Sequence, residues 1–140
     1  MNPIMKAFVA IHIALYRLTG GKLGGRMAGQ IIVLLTTTGN KSGKSRTVPI
    51  MCFVDGGEKY VIGSAGGSPR HPAWFNNLQA RPEATIELDG KKIEVRASVV
   101  TGDERAALWK KIVAAAPGFG EYEKKAQGRE IPVVHLKPVS

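Results

Sequence analysis

Positions 84–100 have the sequence ATIELDGKKIEVRASVV, in which apolar and polar residues alternate on either side of an aspartate–glycine pair. A period of two places successive side chains on opposite faces of a β-strand. Asp89-Gly90 is typical of a two-residue hairpin turn, because both residues tolerate a positive φ. The segment therefore predicts two antiparallel strands, 84–88 and 91–100, joined by this turn.

Further strands are predicted on both sides of this hairpin. The segment Ile31–Thr38 is β-branched and apolar, which is typical of a buried strand. Segments 46–54 and 59–64 flank the turn Asp55-Gly56-Gly57, and segment 131–136 is predicted as the last strand. Because tight turns join most neighbours, the six strands predict a largely antiparallel sheet, which can remove its exposed edges by closing into a small barrel.

Helices are predicted to flank these strands. Residues 1–20 form an amphipathic helix, whose apolar side chains recur at three- and four-residue steps. These side chains are Ile4, Phe8, Ile11, Leu15 and Leu18. We expect this face to pack on the core, and the alternative is an interfacial helix that rests on a membrane.

Three more helices are predicted later in the chain. They cover residues 73–80, which follow Pro72, residues 103–116, and the short segment 121–127. Thr101 and Glu104 have the spacing of a capping box.

Length and composition limit the classes of protein that fit. At 140 residues the chain is predicted to be one domain, 1–140, of the α+β class and mainly β. Cys52 is the single cysteine, which excludes an internal disulfide, and its place in an alternating strand indicates a core residue. The longest uncharged segment of the first helix, Ala7–Tyr16, falls far short of the ~20 residues of a membrane span. We therefore expect a cytoplasmic protein, with association at the inner face of the membrane through residues 1–18 as an alternative.

A basic, glycine-containing turn follows the first strand. Thr38–Arg46 has the sequence TGNKSGKSR, and the net charge of the whole chain is +9. Glycines let successive backbone N–H groups converge on an anion, and the three cations add charge. A P-loop is excluded, because three residues instead of four separate the glycines and a strand containing Pro49 follows instead of a helix. A solvated hairpin turn is an equally good interpretation of this segment taken alone.

A second informative segment covers residues 63–78. It begins with the small residues Gly63-Ser64-Ala65-Gly66-Gly67, which would let a flat ring approach the backbone closely. Trp74 offers a large apolar face and an N–H donor, and Asn77 lies three residues further on the same helical face. The alternative is that Trp74 is simply a core residue.

Other candidate sites are weak. His12, His71 and His135 are scattered and lack metal-ligand spacing with Cys52, so no metal site is predicted. Glu87 and Glu94 flank the hairpin turn beside Lys91 and Lys92, and we expect these four residues to form a solvated cross-strand charge pattern.

Several of these motifs, taken together, resemble the deazaflavin-dependent nitroreductase family of actinobacteria. The motifs are LLTTTGNKSG at 34–43 with Arg46 and Pro49, DGG at 55–57, SAGG at 64–67 and HPAWFNNL at 71–78. The resemblance extends over roughly residues 23–138 and implies a split β-barrel that binds coenzyme F420, a flat deazaflavin with a ribityl phosphate and an oligoglutamate tail.

The resemblance also implies roles for individual residues. The phosphate and tail would be held at Asn40, Lys41, Ser42, Gly43, Lys44 and Arg46. The ring would lie against Val48, Pro49, Ile62, Gly63, Ser64 and Ala65. Trp74 and Asn77 would close the site.

This sequence departs from the family pattern at several positions. Asn40 replaces an arginine, and Ala65 replaces a lysine that is common in the family. Of the tyrosines found in nitroimidazole-activating members, Tyr122 is retained, whereas Ala116 and Phe119 occupy related positions. The substrate pocket is therefore expected to be more apolar than in those members.

The predicted activity is hydride transfer from the reduced deazaflavin to a small electron-poor acceptor such as a quinone, an activated enone or lactone, or a nitro compound. Ser64 and Tyr122 are the predicted catalytic residues, as proton donors or polarising groups. The alternatives are an FMN-binding split-barrel oxidoreductase and a basic nucleic-acid-binding module. Aromatic residues are only 6% of the chain and lie away from the basic turn, which disfavours nucleic acid. The oligomeric state is expected to be a monomer or a dimer.

Overall fold

The computed structural model describes residues 2–27 and 30–139, and for Met27 the backbone alone. The helices of these residues are α1 (Pro3–Leu18), α2 (Ala73–Ala80), α3 (Gly102–Ala115) and α4 (Gly118–Lys125). The strands are β1 (Arg26–Met27), β2 (Gln30–Thr38), β3 (Ser45–Asp55), β4 (Glu58–Ile62), β5 (Glu83–Leu88), β6 (Lys91–Val99) and β7 (Val133–Pro138). A short 3-10 turn, Ala65–Gly67, lies between β4 and α2.

Six of these strands form a closed antiparallel barrel. The order β2-β3-β4-β7-β6-β5 is completed by pairing of β5 with β2, where Leu35 lies opposite Ile86. The two-residue strand β1, which the sequence did not predict, extends the sheet beside β2. The barrel confirms the predicted fold class. Asp89 and Gly90 have φ values of 51° and 77°, as the predicted hairpin turn requires.

The barrel has one core inside and another outside. Trp74, Phe75 and Leu78 of α2 enter the interior, where they pack on strand residues such as Val33 and Ile86. Outside, Leu108 and Ile112 of α3 pack on β4 and β7. Each fully buried leucine, isoleucine or phenylalanine contributes about 1.5–3 kcal/mol. Cys52 is buried in the inner core, as its alternation predicts, and burial raises the pKa of its thiol.

The N-terminal helix α1 corrects one expectation. Its five periodic apolar side chains, Ile4, Phe8, Ile11, Leu15 and Leu18, do not pack on the core, and between 43% and 83% of each is exposed. The face that meets the barrel carries Tyr16, whose hydroxyl lies 2.7 Å from the carbonyl oxygen of Glu87 and 3.0 Å from that of Ile32. Polar contacts instead of an apolar face therefore join α1 to the barrel.

Glu87 corrects a second expectation, because it is buried instead of solvated. Its carboxylate accepts two hydrogen bonds from the Arg17 guanidinium, at 3.1 and 2.8 Å. Paired hydrogen bonds from a guanidinium satisfy a carboxylate that burial would otherwise destabilise. Glu94 is exposed and accepts a hydrogen bond from Thr85, as a solvated cross-strand residue does.

Two local boundaries also differ from the sequence prediction. Thr101 is the N-cap residue of α3, but its side chain makes no capping hydrogen bond, so the predicted capping box is wrong. Gly102 adopts a φ of 63°, which turns the chain out of helical geometry where the box would form. Strand β4 ends at Ile62 instead of Ser64, because Ser64 has the helical φ and ψ of −70° and −35° as the N-cap of the 3-10 turn.

Candidate functional site

A cleft of about 510 Å³ lies where β2 ends and β3 begins, beside α2. It is lined by Thr37, Gly39, Asn40, Lys41, Ser42, Ser45, Arg46, Thr47, Val48, Ala73, Trp74 and Asn77. Seven of these residues are sequence-predicted site residues from the two separate motifs. The barrel thus brings the basic turn and the start of α2 to one place.

The basic turn, residues 38–46, is closed by hydrogen bonds of its own backbone. The Gly39 N–H donates to the Lys44 carbonyl oxygen and the Gly43 N–H to that of Gly39, both at 2.8 Å. A Cβ on Gly39 would lie 2.7 Å from the Ser42 hydroxyl oxygen and 3.3 Å from the Lys44 carbonyl oxygen, so a larger residue would force the turn apart. Gly43 has a φ of 72°, which only glycine adopts at little cost.

Asn77 fixes this turn from the opposite side of the cleft. Its buried amide oxygen accepts from the Asn40 backbone N–H, and its amide nitrogen donates to the Thr37 hydroxyl, each at 3.0 Å. Both polar atoms of the Asn77 amide are therefore bonded to the protein itself. Asn77 shapes the cleft by holding the turn in place.

The cations of the basic turn are not neutralised by the protein. Lys41, Lys44 and Arg46 are exposed, and within residues 2–27 and 30–139 none of them forms an ion pair with a carboxylate. Lys41 and Arg46 line the cleft, whereas Lys44 and Gly43 belong to the same turn outside its lining. Three uncompensated charges in six residues create a positive field that attracts an anion.

One wall of the cleft is an open strand edge. Residues 45–51 of β3 pair with β2, whereas pairing of β3 with β4 begins only at Cys52. Pro49, which has no N–H, lies opposite Leu34 within this half of the strand. Val48 lines the cleft beside it. Backbone hydrogen-bonding groups on the free side of residues 45–51 have no partner strand among the described residues.

The small residues at 62–67 lie outside the lining of this cleft. Ile62 and Gly63 are buried, and a Cβ on Gly63 would lie 2.7 Å from the Pro132 Cγ, so its small size serves packing at that point. Ser64 is 8% exposed. Ala65 is exposed and has a φ of 49°, a left-handed conformation that is unusual for alanine.

Tyr122 lies on α4, next to the 3-10 turn. Its ring packs on Phe119 at a centroid distance of 5.9 Å, as part of the outer core. A Cβ on Gly67 would lie 3.2 Å from the Tyr122 Cα, so α4 covers this turn directly. Ser64 and Tyr122 are therefore placed on neighbouring segments, and Tyr122 is not among the residues that line the cleft.

Sequence reasoning missed several residues of this region. Thr37, Gly39, Ser45, Thr47 and Ala73 line the cleft, and each adjoins a predicted residue or belongs to the same motif. Arg129 was also missed, although its guanidinium bonds to three carbonyl oxygens of the connection between β4 and α2. No local signal marks Arg129, because its partners lie about sixty positions earlier in the chain.

The histidines do not form a metal site. The part of the chain that the structure describes holds no group of three or more His, Cys, Asp or Glu side chains suited to a metal ion. His12 contacts the Gly24 carbonyl, and His135 pairs with Glu58. His71 lies beside Arg129 and Phe75, and burial together with the Arg129 charge lowers the pKa of its imidazole.

Comparison with known proteins identifies the family. The family described as F420H2-dependent quinone reductase matches residues 8–138. The chain belongs to this family. It is 35% identical to an F420H2-dependent quinone reductase of Mycobacterium tuberculosis over 130 residues, which cover 90% of this chain and 87% of the relative. A putative F420H2-dependent quinone reductase of Mycobacterium bovis matches with the same identity and coverage.

Two solved structures of related proteins share the fold. One is described as the F420H2-dependent reductase FDR-A, with 40% identity, a TM-score of 0.68, and coverage of 76% of this chain and 93% of that protein. The other is described as a domain-swapped dimer, with 33% identity, a TM-score of 0.71, and coverage of 97% and 100%. These comparisons confirm the family resemblance and reduced F420 as the cofactor of the family. Activity toward nitro compounds stays a prediction.

Proposed function

We propose that this protein is an F420H2-dependent reductase that acts on quinones and on related electron-poor acceptors such as activated enones or lactones. The observation that carries this proposal is the basic turn, whose three cations have no internal partner and lie beside a cleft with an apolar wall. Its mycobacterial relatives are named as quinone reductases that depend on the same reduced cofactor. This proposal disfavours the two alternatives, an FMN-binding oxidoreductase and a nucleic-acid-binding module.

The residues present fit the cofactor. F420 joins a flat ring to a polyanionic tail, and Lys41, Lys44 and Arg46 offer the charge that such a tail needs. The turn residues Asn40, Lys41, Ser42, Gly43, Lys44 and Arg46 would hold the phosphate and tail. The residues Val48, Pro49, Ile62, Gly63, Ser64 and Ala65 would form the surroundings of the ring. Trp74 and Asn77 would border the site, with Asn77 acting through the turn.

The chemistry of the cofactor, when bound, is the donation of a hydride to the acceptor. The protein would position the cofactor and the acceptor and exclude water from the reacting atoms. The Trp74 side chain, which is 9% exposed, keeps water from the inner end of the cleft. The Ser64 hydroxyl and the Tyr122 phenol are the groups that we propose to polarise the acceptor or to supply a proton. A phenylalanine at position 122 should then slow acceptor reduction more than it weakens cofactor binding.

Titration tests the proposal directly. The protein is titrated with F420 and with FMN, and turnover of reduced F420 is followed on a panel of quinones, coumarin-type lactones and nitro compounds. We expect F420 binding and quinone turnover without FMN binding. Tight FMN binding or the absence of F420 binding would contradict the proposal.

A paired variant tests the role of the basic turn. Lys41→Ala with Lys44→Ala should weaken F420 binding by roughly 2- to 30-fold, because each exposed charge contact contributes ~0.2–1 kcal/mol. Lys91→Ala with Lys92→Ala is the matched control, because it removes the same charge from exposed lysines of the β5–β6 hairpin. Equal loss in the two double variants would show that the turn has no special role.

The outward face of α1 supports a second, separate proposal, that α1 contacts an anionic lipid surface. Its apolar side chains are exposed, and the exposed cations Lys6, Lys22 and Arg26 lie on or near the same helix. An exposed apolar face flanked by cations is typical of helices that lie in a membrane interface. Apolar quinones concentrate in membranes, so such contact would bring the enzyme to them. Among the described residues, no helix combines the length and the apolar content that crossing a bilayer requires.

Vesicle sedimentation tests this contact. The full chain should sediment with vesicles that contain anionic lipid, and less with neutral vesicles, whereas Phe8→Glu with Ile11→Glu should abolish sedimentation. The competing occupant of the helix face is a second copy of the chain, since one relative is described as a domain-swapped dimer. A stable dimer in sedimentation velocity, together with no binding to anionic vesicles, would refute the membrane contact.

A further inference from the structure

Arg129 donates hydrogen bonds to three carbonyl oxygens that follow β4. Its Nη1 donates to the Gly63 carbonyl oxygen at 2.9 Å, and its Nη2 donates to those of Ser64 and Ser68 at 2.7 and 2.8 Å. The Nε also donates to the Ser68 carbonyl oxygen, at 3.0 Å. The same Nη1 lies 2.9 Å from the His71 Nδ1. Because an arginine only donates, Nδ1 is the acceptor, and His71 is neutral with its proton on Nε2.

These bonds extend along residues 63–72, which we call the β4–α2 connection. The first bond is at Gly63, directly after β4, and the last is at His71, two residues before α2 begins. One guanidinium thus joins the two ends of the connection. A planar group with five donors in fixed directions can do this, whereas a single ammonium cannot.

The connection needs such support, because its middle is conformationally unfavourable. Ala65, Gly66 and Gly67 have φ values of 49°, 64° and 84°, and the alanine is outside the region that its side chain prefers. A non-glycine residue stays in this conformation only where its surroundings hold it there. Arg129 supplies that support from the segment between α4 and β7.

The charge of Arg129 is also unusual. Among the described residues it forms no ion pair with a carboxylate, and its charge is balanced by carbonyl oxygens alone. Arg105 on α3 provides a contrast, because it donates to the Ile131 carbonyl but also pairs with Glu130 at 2.9 Å. Among the described residues, no hydrogen bond or ion pair joins Arg105 to the β4–α2 connection.

We propose that Arg129 is a positioning residue for the cofactor ring, because its guanidinium fixes the β4–α2 connection. That connection carries Gly63, Ser64 and Ala65, which would surround the ring, and it sets where α2 begins. Loss of Arg129 would leave the basic turn intact but would let residues 63–65 move. The proposal rests on the proposed function, since it assigns the ring to these residues.

Hydrogen–deuterium exchange, measured without any cofactor, tests whether Arg129 holds the β4–α2 connection in place. We call this set of Arg129 hydrogen bonds the clamp. Arg129→Gln should increase exchange in peptides covering residues 63–72 by about tenfold or more, because several hydrogen bonds to a charged group are lost. Arg96→Gln is the control and should leave these peptides unchanged, because Arg96 is an exposed arginine of β6 that pairs with Glu83. If exchange at 63–72 is the same in Arg129→Gln and wild type, the clamp is refuted, whatever ligand the protein binds.

Cofactor binding then tests the link to the ring. The ligands are intact F420 and the ribityl deazaflavin that lacks the phosphate and tail. Arg129→Gln should weaken both by a similar factor of roughly ten, whereas Lys41→Ala with Lys44→Ala should weaken only intact F420. Arg129→Lys should fold but fail to restore binding, because one ammonium cannot reach three carbonyls.

The outcomes separate the two proposals. If wild-type protein binds neither ligand, the proposed function fails, and exchange at 63–72 still decides whether Arg129 clamps the connection. If Arg129→Gln weakens only intact F420, Arg129 acts on the tail and the positioning proposal is wrong. If Arg129→Gln does not fold, wild-type binding of both ligands by Arg129→Lys would equally overturn the proposal.

Discussion

At the scale of single residues, two side chains hold separate backbone segments in place. Asn77 bonds to the turn, and Arg129 bonds to the β4–α2 connection. Asn77 was predicted as a site residue from the motif at 71–78, whereas no local motif marks Arg129. Their importance comes from partners that are about forty to sixty-five positions away in sequence.

Asn77→Ala should therefore act on both stability and binding. The variant leaves the Thr37 hydroxyl and the Asn40 N–H without a partner, which costs about 1–3 kcal/mol of unfolding free energy for a buried group. F420 affinity should fall as well, because the turn is released. Urea unfolding and F420 titration measure the two effects. Asn76→Ala, at the exposed neighbouring position of α2, is the control and should change neither.

His71 makes stability depend on pH. Burial and the Arg129 charge lower the pKa of His71 in the folded protein below its ordinary 6.5. The unfolded chain therefore takes up this proton first as the pH falls. The stabilisation from neutral His71 is complete above pH 6.5 and is lost as the pH falls through the lower, folded-state pKa. Urea unfolding from pH 7.5 to about 4.5 should show this loss for wild type and a smaller loss for His71→Gln.

At the scale of helices and strands, α1 is attached by its C-terminal part. Tyr16 and Arg17 contact the barrel, whereas the first three turns of the helix are largely exposed. The glycine-rich segment 20–25 follows the helix. Local release of α1 should therefore require less free energy than unfolding of the barrel.

Tyr16→Phe tests this attachment. Removing the hydroxyl leaves the buried carbonyls of Ile32 and Glu87 without this donor, at a cost of about 1–3 kcal/mol. Exchange in residues 3–18 and proteolysis at 20–25 should both accelerate. Tyr60→Phe is the control, because Tyr60 is also buried and its hydroxyl has no hydrogen-bond partner among the residues that the structure describes. Similar effects of the two variants would contradict the attachment.

Contact between α4 and the 3-10 turn can be tested at two neighbouring glycines. Gly67→Ala would place a Cβ 2.8 Å from the Lys125 Cβ and 3.1 Å from the Tyr122 carbonyl oxygen, whereas a Cβ at Gly66 meets nothing within 4 Å. Both positions have a positive φ, which costs an alanine about 1–2 kcal/mol. Thermal unfolding should therefore show a greater loss for Gly67→Ala. Equal losses would mean that α4 does not pack tightly on the turn.

At the scale of the whole molecule, local patterns predicted the barrel but not its attachments. The 84–100 hairpin was predictable because turn chemistry and alternation lie within a few residues. The direction of the α1 apolar face was not, because it depends on Glu87, about seventy positions away. The basic turn was found from its composition, whereas the Gly63 contact with Pro132 required the fold.

The net charge of +9 should make cofactor binding depend on salt. Affinity for intact F420 should fall as ionic strength rises, because salt screens exposed charges over about 8–10 Å. The ribityl deazaflavin, which lacks the phosphate and the oligoglutamate tail, should bind with little salt dependence. Titration between 20 and 500 mM salt, roughly a fivefold change in screening length, measures both. If affinity for the two ligands fell equally with salt concentration, binding of the tail by the basic turn would be refuted.

The half of β3 that borders the cleft also bears on solubility. A bare strand edge is a template on which strands of other molecules add, and fibril growth begins in this way. Pro49 lies within residues 45–51 and has no N–H, so an incoming strand cannot form an unbroken hydrogen-bond ladder there. Pro49, which we propose as a neighbour of the cofactor ring, thereby also discourages polymerisation at this edge.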